Sequence, residues 1–188
     1  MLYGFWLVAI GASTGGPAVL SRVLSRLPAT FPASILVVQH IARGFSIGFA
    51  EWLDSVTPLH VKLARDGEEL RPRTVYIAPD DRHLGLVDKS TIELSNSPPM
   101  GTFRPSATYL YESVLRAVGP RMIAVILTGM GRDGVLGLAR VHQAGGHVIA
   151  QNEDSCTVFG MPKAAIDAGT THQVLAIDDI ARELMRRT

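Results

Sequence analysis

Cysteine is almost missing: Cys156 is the single one in 188 residues. A lone thiol excludes an intrachain disulfide framework and suits a reducing compartment. Aromatic residues are scarce, at 6%, and the formal net charge is only +1. That balance offers no strongly basic face, so neither nucleic acid nor an anionic membrane is expected as a partner. The small clusters Arg71/Arg73 and Arg186/Arg187 read as solvated surface. The apolar start, Leu2 to Ile10, is far short of the ~20 residues of a membrane span. It also lacks a basic flank and a signal cleavage site, so it reads as a first strand, and the cytoplasm is the expected location. No internal repeat or low-complexity tract occurs. With 47% hydrophobic and 19% charged residues, the chain reads as one soluble globular domain over residues 1–188.

Short apolar runs alternate with helical patterns. Phe5–Ala12, Ser34–Gln39, Met122–Thr128, His147–Gln151 and Gln173–Ile177 are rich in Val, Ile and Leu without polar alternation, as strands buried on both faces of a parallel sheet are. Between them lie helical patterns at Ala18–Leu27, Ser46–Ser55, Ser106–Val118, Val135–Ala144, Pro162–Ala168 and Asp179–Arg187. Pro17 suits a helix start, Gly119-Pro120 and Gly145-Gly146 suit helix ends, and Asp178 or Asp179 can cap the last helix. Residues 61–95 differ. Val61–Ala64, Thr74–Ala78, Leu84–Val87 and Thr91–Leu94 are short strand-like runs, with Asp88-Lys89-Ser90 as a hairpin turn. The expected fold is α/β: a single doubly wound, mostly parallel sheet with helices on both faces and an antiparallel edge elaboration around 61–95.

Gly11-Ala12-Ser13-Thr14-Gly15 ends the first strand and fits the G-x-S-x-G nucleophile elbow. A sharp strand-to-helix turn lifts the serine hydroxyl clear of the backbone, and small neighbours let a substrate approach. A bland turn or a phosphate-cradling loop has a similar composition. A Walker loop is disfavoured, since no lysine follows the glycines, and a dinucleotide fingerprint is disfavoured by Ser13 at the second glycine position.

His40 ends the second strand, and Asp133 sits in the turn Thr128-Gly129-Met130-Gly131-Arg132-Asp133-Gly134 after another. Each has a plain alternative, a hydrogen-bonded surface histidine and a helix N-cap. Together they gain weight, because residues that follow parallel strands gather at the carboxyl edge of the sheet, where ligands bind. Ser13, His40 and Asp133 there supply a nucleophile, a general base and a carboxylate to orient the base. Asp80-Asp81-Arg82-His83 matches no strong metal-ligand spacing and reads as a polar loop. His60, His142, His147 and His172 show no pattern, and Cys156 reads as a small packing residue.

Five segments carry a resemblance that covers nearly the whole chain: Ile10–Pro17, Val37–His40, Tyr76–Pro79, Leu127–Gly134 and Phe159–Ala165. With them the sequence resembles the catalytic domain of the CheB family, the chemotaxis protein-glutamate methylesterases and protein-glutamine glutaminases. The resemblance implies a doubly wound α/β domain with a Ser-His-Asp triad at Ser13, His40 and Asp133. It also implies that Thr14 helps to hold the imidazole and that the backbone at Met130 contributes to the oxyanion hole. It implies neither metal nor other cofactor. The implied activity is demethylation of γ-glutamyl methyl esters, with deamidation of selected glutamines. The implied partner is a methyl-accepting chemotaxis receptor or a similar methylated helical protein. Family members usually carry a receiver domain before this one. These 188 residues hold no receiver sequence, so a receiver would act in cis from elsewhere or in trans. The residues that differ from the usual pattern, Ile41-Ala42, Arg73 and Thr108, leave the triad positions untouched. A non-catalytic chemosensory interaction domain and a general carboxylesterase stand as alternatives.

Overall fold

The computed structural model describes residues 7–188, so the first two residues of the predicted strand Phe5–Ala12 lie outside the described part. The chain runs β1 (Leu7–Ala12), α1 (Gly16–Leu24), β2 (Ser34–Gln39), α2 (Ser46–Val56), β3 (His60–Leu63), β4 (Thr74–Ile77), β5 (His83–Leu86), β6 (Ile92–Ser95), α3 (Ala107–Val118) and β7 (Met122–Ile126). It continues through α4 (Val135–Gln143), β8 (His147–Gln151), a short 3-10 turn at Glu153–Ser155, α5 (Met161–Asp167), β9 (Gln173–Leu175) and α6 (Ile177–Arg187).

Among the described residues, seven strands form one sheet in the order β3-β4-β2-β1-β7-β8-β9, with every pair parallel. A hairpin of β5 and β6 stands apart, antiparallel. Asp88 closes its turn by accepting the backbone N–H groups of Ser90 and Thr91. The antiparallel elaboration expected over 61–95 is therefore confined to this hairpin. β3 and β4 extend the main sheet in parallel, His60 pairing with Thr74 and Leu63 with Ile77.

β1 is wholly buried because helices cover both faces of the sheet. Its side chains alternate between two cores. Val8 and Ile10, with Val37 and Val125, meet Val19, Leu20 and Val23 of α1, Phe49 and Leu53 of α2, and Ile180 and Leu184 of α6. Leu7 and Ala9, with Leu36, Val38 and Ile126, meet Leu110, Tyr111 and Val114 of α3, Leu138 of α4, Met161 of α5, and Leu84 and Ile92 of the hairpin. Each fully buried aliphatic side chain contributes about 1.5–3 kcal/mol, so the sheet is a firm base for loops at its edge.

Helix boundaries follow local chemistry. α1 opens at Gly16-Pro17, and α3 is capped by Ser106, whose hydroxyl accepts the Tyr109 N–H, and stops at Gly119 with φ 64°. The expected cap at Asp178 or Asp179 is not made. Ala176 precedes α6, and Asp178 instead pairs with Arg22 of α1 and with Arg26 just past its end, because the two helices lie side by side on one face. No described helix is long and apolar enough to cross a membrane.

Candidate active site

Strand order decides where the chemistry can lie. From β1 the chain fills one side of the sheet through β2, β4 and β3, then returns to the other side with β7, β8 and β9. The crevice between β1 and its neighbours at the carboxyl edge is the switch point where α/β sheets bind ligands. Ser13 follows β1, His40 follows β2, and Asp133 lies in the loop after β7.

The Ser13 turn is fixed from three sides. Its N–H donates to the Thr128 carbonyl at 3.0 Å, and its carbonyl accepts from Gly16 N–H at 2.8 Å. The buried Gln39 amide donates to the Ser13 and His40 carbonyls, both at 2.8 Å, tying the two turns together. Two glycines are needed for that fit. A Cβ on Gly16 would fall 1.8 Å from Gln39 Oε1, and one on Gly129 would fall 2.7 Å from Ser13 Cβ and 2.5 Å from Met161 Sδ.

His40 and Asp133 meet. Nε2 of the imidazole is 2.9 Å from Asp133 Oδ2, and the two side chains are only 11% and 4% exposed. Asp133 does not cap its own helix, where Gly134 takes that position. It sits instead at the start of α3 and accepts from Ser106 Oγ at 2.7 Å, Ala107 N–H at 2.7 Å and Thr108 N–H at 3.2 Å. The positive end of a helix is a natural seat for a carboxylate. Burial by itself would push the Asp133 pKa up. The hydrogen bonds from His40, Ser106 and Ala107 outweigh it and hold the group below its ordinary value of 3.8. Asp133 is therefore ionised at neutral pH.

Nδ1 of His40 is buried and has no partner. The Ser13 hydroxyl is not hydrogen-bonded to the pair, although Gln39 ties the Ser13 and His40 turns together. Such contacts are commonly loose before substrate arrives. Thr14, expected to help hold the imidazole, is exposed, and the ring's hydrogen bond in this structure is the one to Asp133. What the structure shows of Thr14 is its carbonyl, which accepts from Thr128 Oγ1 at 2.9 Å.

Met130 is 68% exposed. Its turn is held from behind, the Gly129 carbonyl accepting from Gly160 N–H at 3.1 Å and Met161 N–H at 2.8 Å, with Gly129 N–H donating to Val158. This explains why the segment around Phe159-Gly160-Met161 matters to the site. Sequence reasoning missed Ser106 and Phe103 as parts of the site. The ring of Phe103 lies flat on His40, with centroids 4.1 Å apart and planes 7° apart. Its only signal was position, two residues before Pro105-Ser106. No group of three or more His, Cys, Asp or Glu placed to hold a metal occurs among the described residues.

This geometry agrees with the relationships of the sequence. The family model for CheB methylesterase matches residues 8–184. The chain belongs to the CheB methylesterase family. It is 54% identical over 178 residues to protein-glutamate methylesterase/protein-glutamine glutaminase 4 of Myxococcus xanthus, covering 95% of this chain and 50% of that protein. A counterpart numbered 3 from Anaeromyxobacter dehalogenans is 55% identical over 179 residues, with 95% and 52% covered. The chain thus spans about half the length of these CheB relatives. The crystal structure of the Thermotoga maritima CheB methylesterase catalytic domain superposes with a TM-score of 0.95 at 42% identity, covering 98% of this chain and all of that one. The mostly parallel sheet with its small antiparallel hairpin is accordingly the CheB catalytic-domain fold.

Proposed function

We propose that this CheB domain is a serine hydrolase that removes methyl groups from γ-glutamyl methyl esters on chemoreceptor-type proteins, and deamidates selected glutamines on the same substrates, in the cytoplasm. One observation carries the reading: a buried His40–Asp133 pair with a free ring nitrogen, at the sheet edge where the Ser13 turn emerges.

Ser13 Oγ attacks the ester carbonyl carbon while its proton passes to Nδ1 of His40. Asp133 holds Nε2–H, fixing the tautomer, and steadies the imidazolium that forms. The carbonyl oxygen becomes an oxyanion that accepts the Met130 backbone N–H, and a donor of this kind is typically worth about 10²–10³ in rate. Collapse breaks the bond to methoxide, which leaves as methanol with the proton from His40. Water, deprotonated by the same nitrogen, then cleaves the glutamyl ester on Ser13 and restores the hydroxyl. With a glutamine side chain the leaving group is ammonia. No step calls for a cofactor. The substrate is a methyl-accepting chemotaxis receptor or a similar methylated helical protein, and control comes from a receiver domain in cis or in trans.

The test is methanol release from a methylated chemoreceptor, run beside hydrolysis of a small aryl ester. Release from the receptor at a kcat/KM well above the aryl ester supports the reading. A preference for the aryl ester points to a general carboxylesterase, and inactivity on both points to an interaction domain.

A further inference from the structure

We infer that Phe103 is a positioning residue for the catalytic base, clamping the imidazole of His40 in the one orientation that gives Nε2 to Asp133 and leaves Nδ1 to Ser13. The inference rests on the reading of His40 as the base.

The imidazole has a single hydrogen bond, from Nε2 to Asp133, and Nδ1 has no partner. The outer torsion of a histidine is broad and roughly two-fold. One hydrogen bond at the far nitrogen leaves the ring free to swing about the line of that bond. A flat neighbour at contact distance removes the swing, and Phe103 is that neighbour, at 4.1 Å and 7°. Thr14, the other residue at hand, makes no bond to the ring.

Phe103 is itself held rigidly. Met100 and Phe103 exchange both backbone hydrogen bonds, at 3.1 and 3.2 Å, closing a tight turn with Gly101 at φ 61°. The next residue, Arg104, grips Asp81 Oδ1 with two nitrogens at 2.9 and 2.6 Å and also reaches the carbonyls of Asn96 and Ser97. Two residues further on, Ser106 donates to Asp133. The loop over 96–106 therefore fixes the face of the base and the carboxylate together. An aromatic face also favours a cation over a neutral ring. The contact is thus stronger once the proton has moved to His40, the kind of interaction that raises kcat.

The experiment compares the parent with Phe103→Leu, which keeps apolar bulk without a flat face, and Phe103→Tyr, which keeps the face. Phe103→Met stands in should the leucine variant fail to fold by circular dichroism. Two readouts are used. The first is the proton NMR resonance of the His40 ring C–H between the nitrogens, assigned with His40→Gln; ring current from a parallel aromatic shifts it upfield. The second is the rate at which a fluorophosphonate probe labels Ser13, which requires no receptor. In Phe103→Leu the resonance moves downfield and labelling slows by about tenfold, whereas Phe103→Tyr stays within about twofold of the parent. A folded Phe103→Leu with an unmoved resonance, or with the parent's labelling rate, overturns the inference. A parent that the probe never labels contradicts the hydrolase reading instead, and an unmoved resonance in folded Phe103→Leu then still overturns the stacking on which the inference stands.

Discussion

Oδ2 of Asp133 lies 2.9 Å from Nε2 of His40, so the carboxylate takes the ring nitrogen remote from the main chain. In the widespread serine-hydrolase arrangement the carboxylate takes Nδ1, and Nε2 serves as base. Strand order accounts for the reversal. β1, and hence Ser13, lies between the strand that carries His40 and the strand that leads to Asp133. A ring reaching across from β2 meets Asp133 through its distal nitrogen and leaves its proximal one without a partner.

Asp133→Asn breaks this arrangement in two ways. An amide cannot hold the imidazole in the required tautomer, and its single oxygen cannot serve four donors: His40, Ser106, Ala107 and Thr108. The expected loss in kcat is about 10⁴-fold, by analogy with other triads. Loss of the charged acceptor at the start of α3 adds about 1.5–3 kcal/mol of destabilisation. Ester kinetics and a urea denaturation curve measure the two effects. Unchanged kcat in the folded variant would contradict the role given to Asp133.

Ser106→Ala separates stability from catalysis more finely. The hydroxyl caps α3 through Tyr109 N–H at 3.3 Å and donates to Asp133 at 2.7 Å. Loss of the cap costs about 1 kcal/mol, visible as a lower thermal midpoint. Asp133 keeps its bonds to Ala107 and Thr108, so kcat falls far less than in Asp133→Asn. A variant as inactive as Asp133→Asn would show that Ser106 does more than orient the carboxylate.

Stability should fall on mild acidification because of a histidine cluster far from the site. His142 and His147 pack against His172, with centroids 4.3 and 5.0 Å away. Nδ1 of His172 accepts the Val148 N–H, a role that requires a lone pair. Burial, then the neighbouring His142 and His147, lower the His172 pKa below its ordinary value of 6.5, and burial does the same for His147. Both groups bind a proton more readily once unfolded, so unfolding takes up protons. Their contribution is full above the ordinary histidine value and drains away as pH falls below it. Urea midpoints measured from pH 8 downward should stay level near neutrality and drop below about pH 6.5. His172→Gln should flatten that drop, and a drop of equal size in the variant would show that other groups cause it.

The sequence made the central strands legible because burial on both faces leaves long Val/Ile/Leu runs, as in Ser34–Gln39 and Met122–Ile126. It did not show the direction in which β3 and β4 pair. β3 is a sheet-edge strand of four residues with mixed exposure, and a short half-exposed run looks the same whether its partner is parallel or antiparallel. Ser13, His40 and Asp133 could be singled out as candidates because each follows a buried strand, a position visible in one dimension. Phe103 could not, because its contact with His40 depends on how the 96–106 loop folds back over the sheet edge. The stacked histidines escaped for the same reason: His142 and His172 are 30 residues apart in sequence and meet only in the fold.

The most direct test of the central claim is methanol release from a methylated chemoreceptor by the parent and by Ser13→Ala, with folding checked by circular dichroism. The substitution removes one half-exposed hydroxyl and no backbone bond, since the Ser13 turn is held by main-chain groups and Gln39. The account predicts steady release by the parent and none above background by the folded variant. Release at the parent's rate by folded Ser13→Ala would contradict Ser13 as the nucleophile, and with it the mechanism.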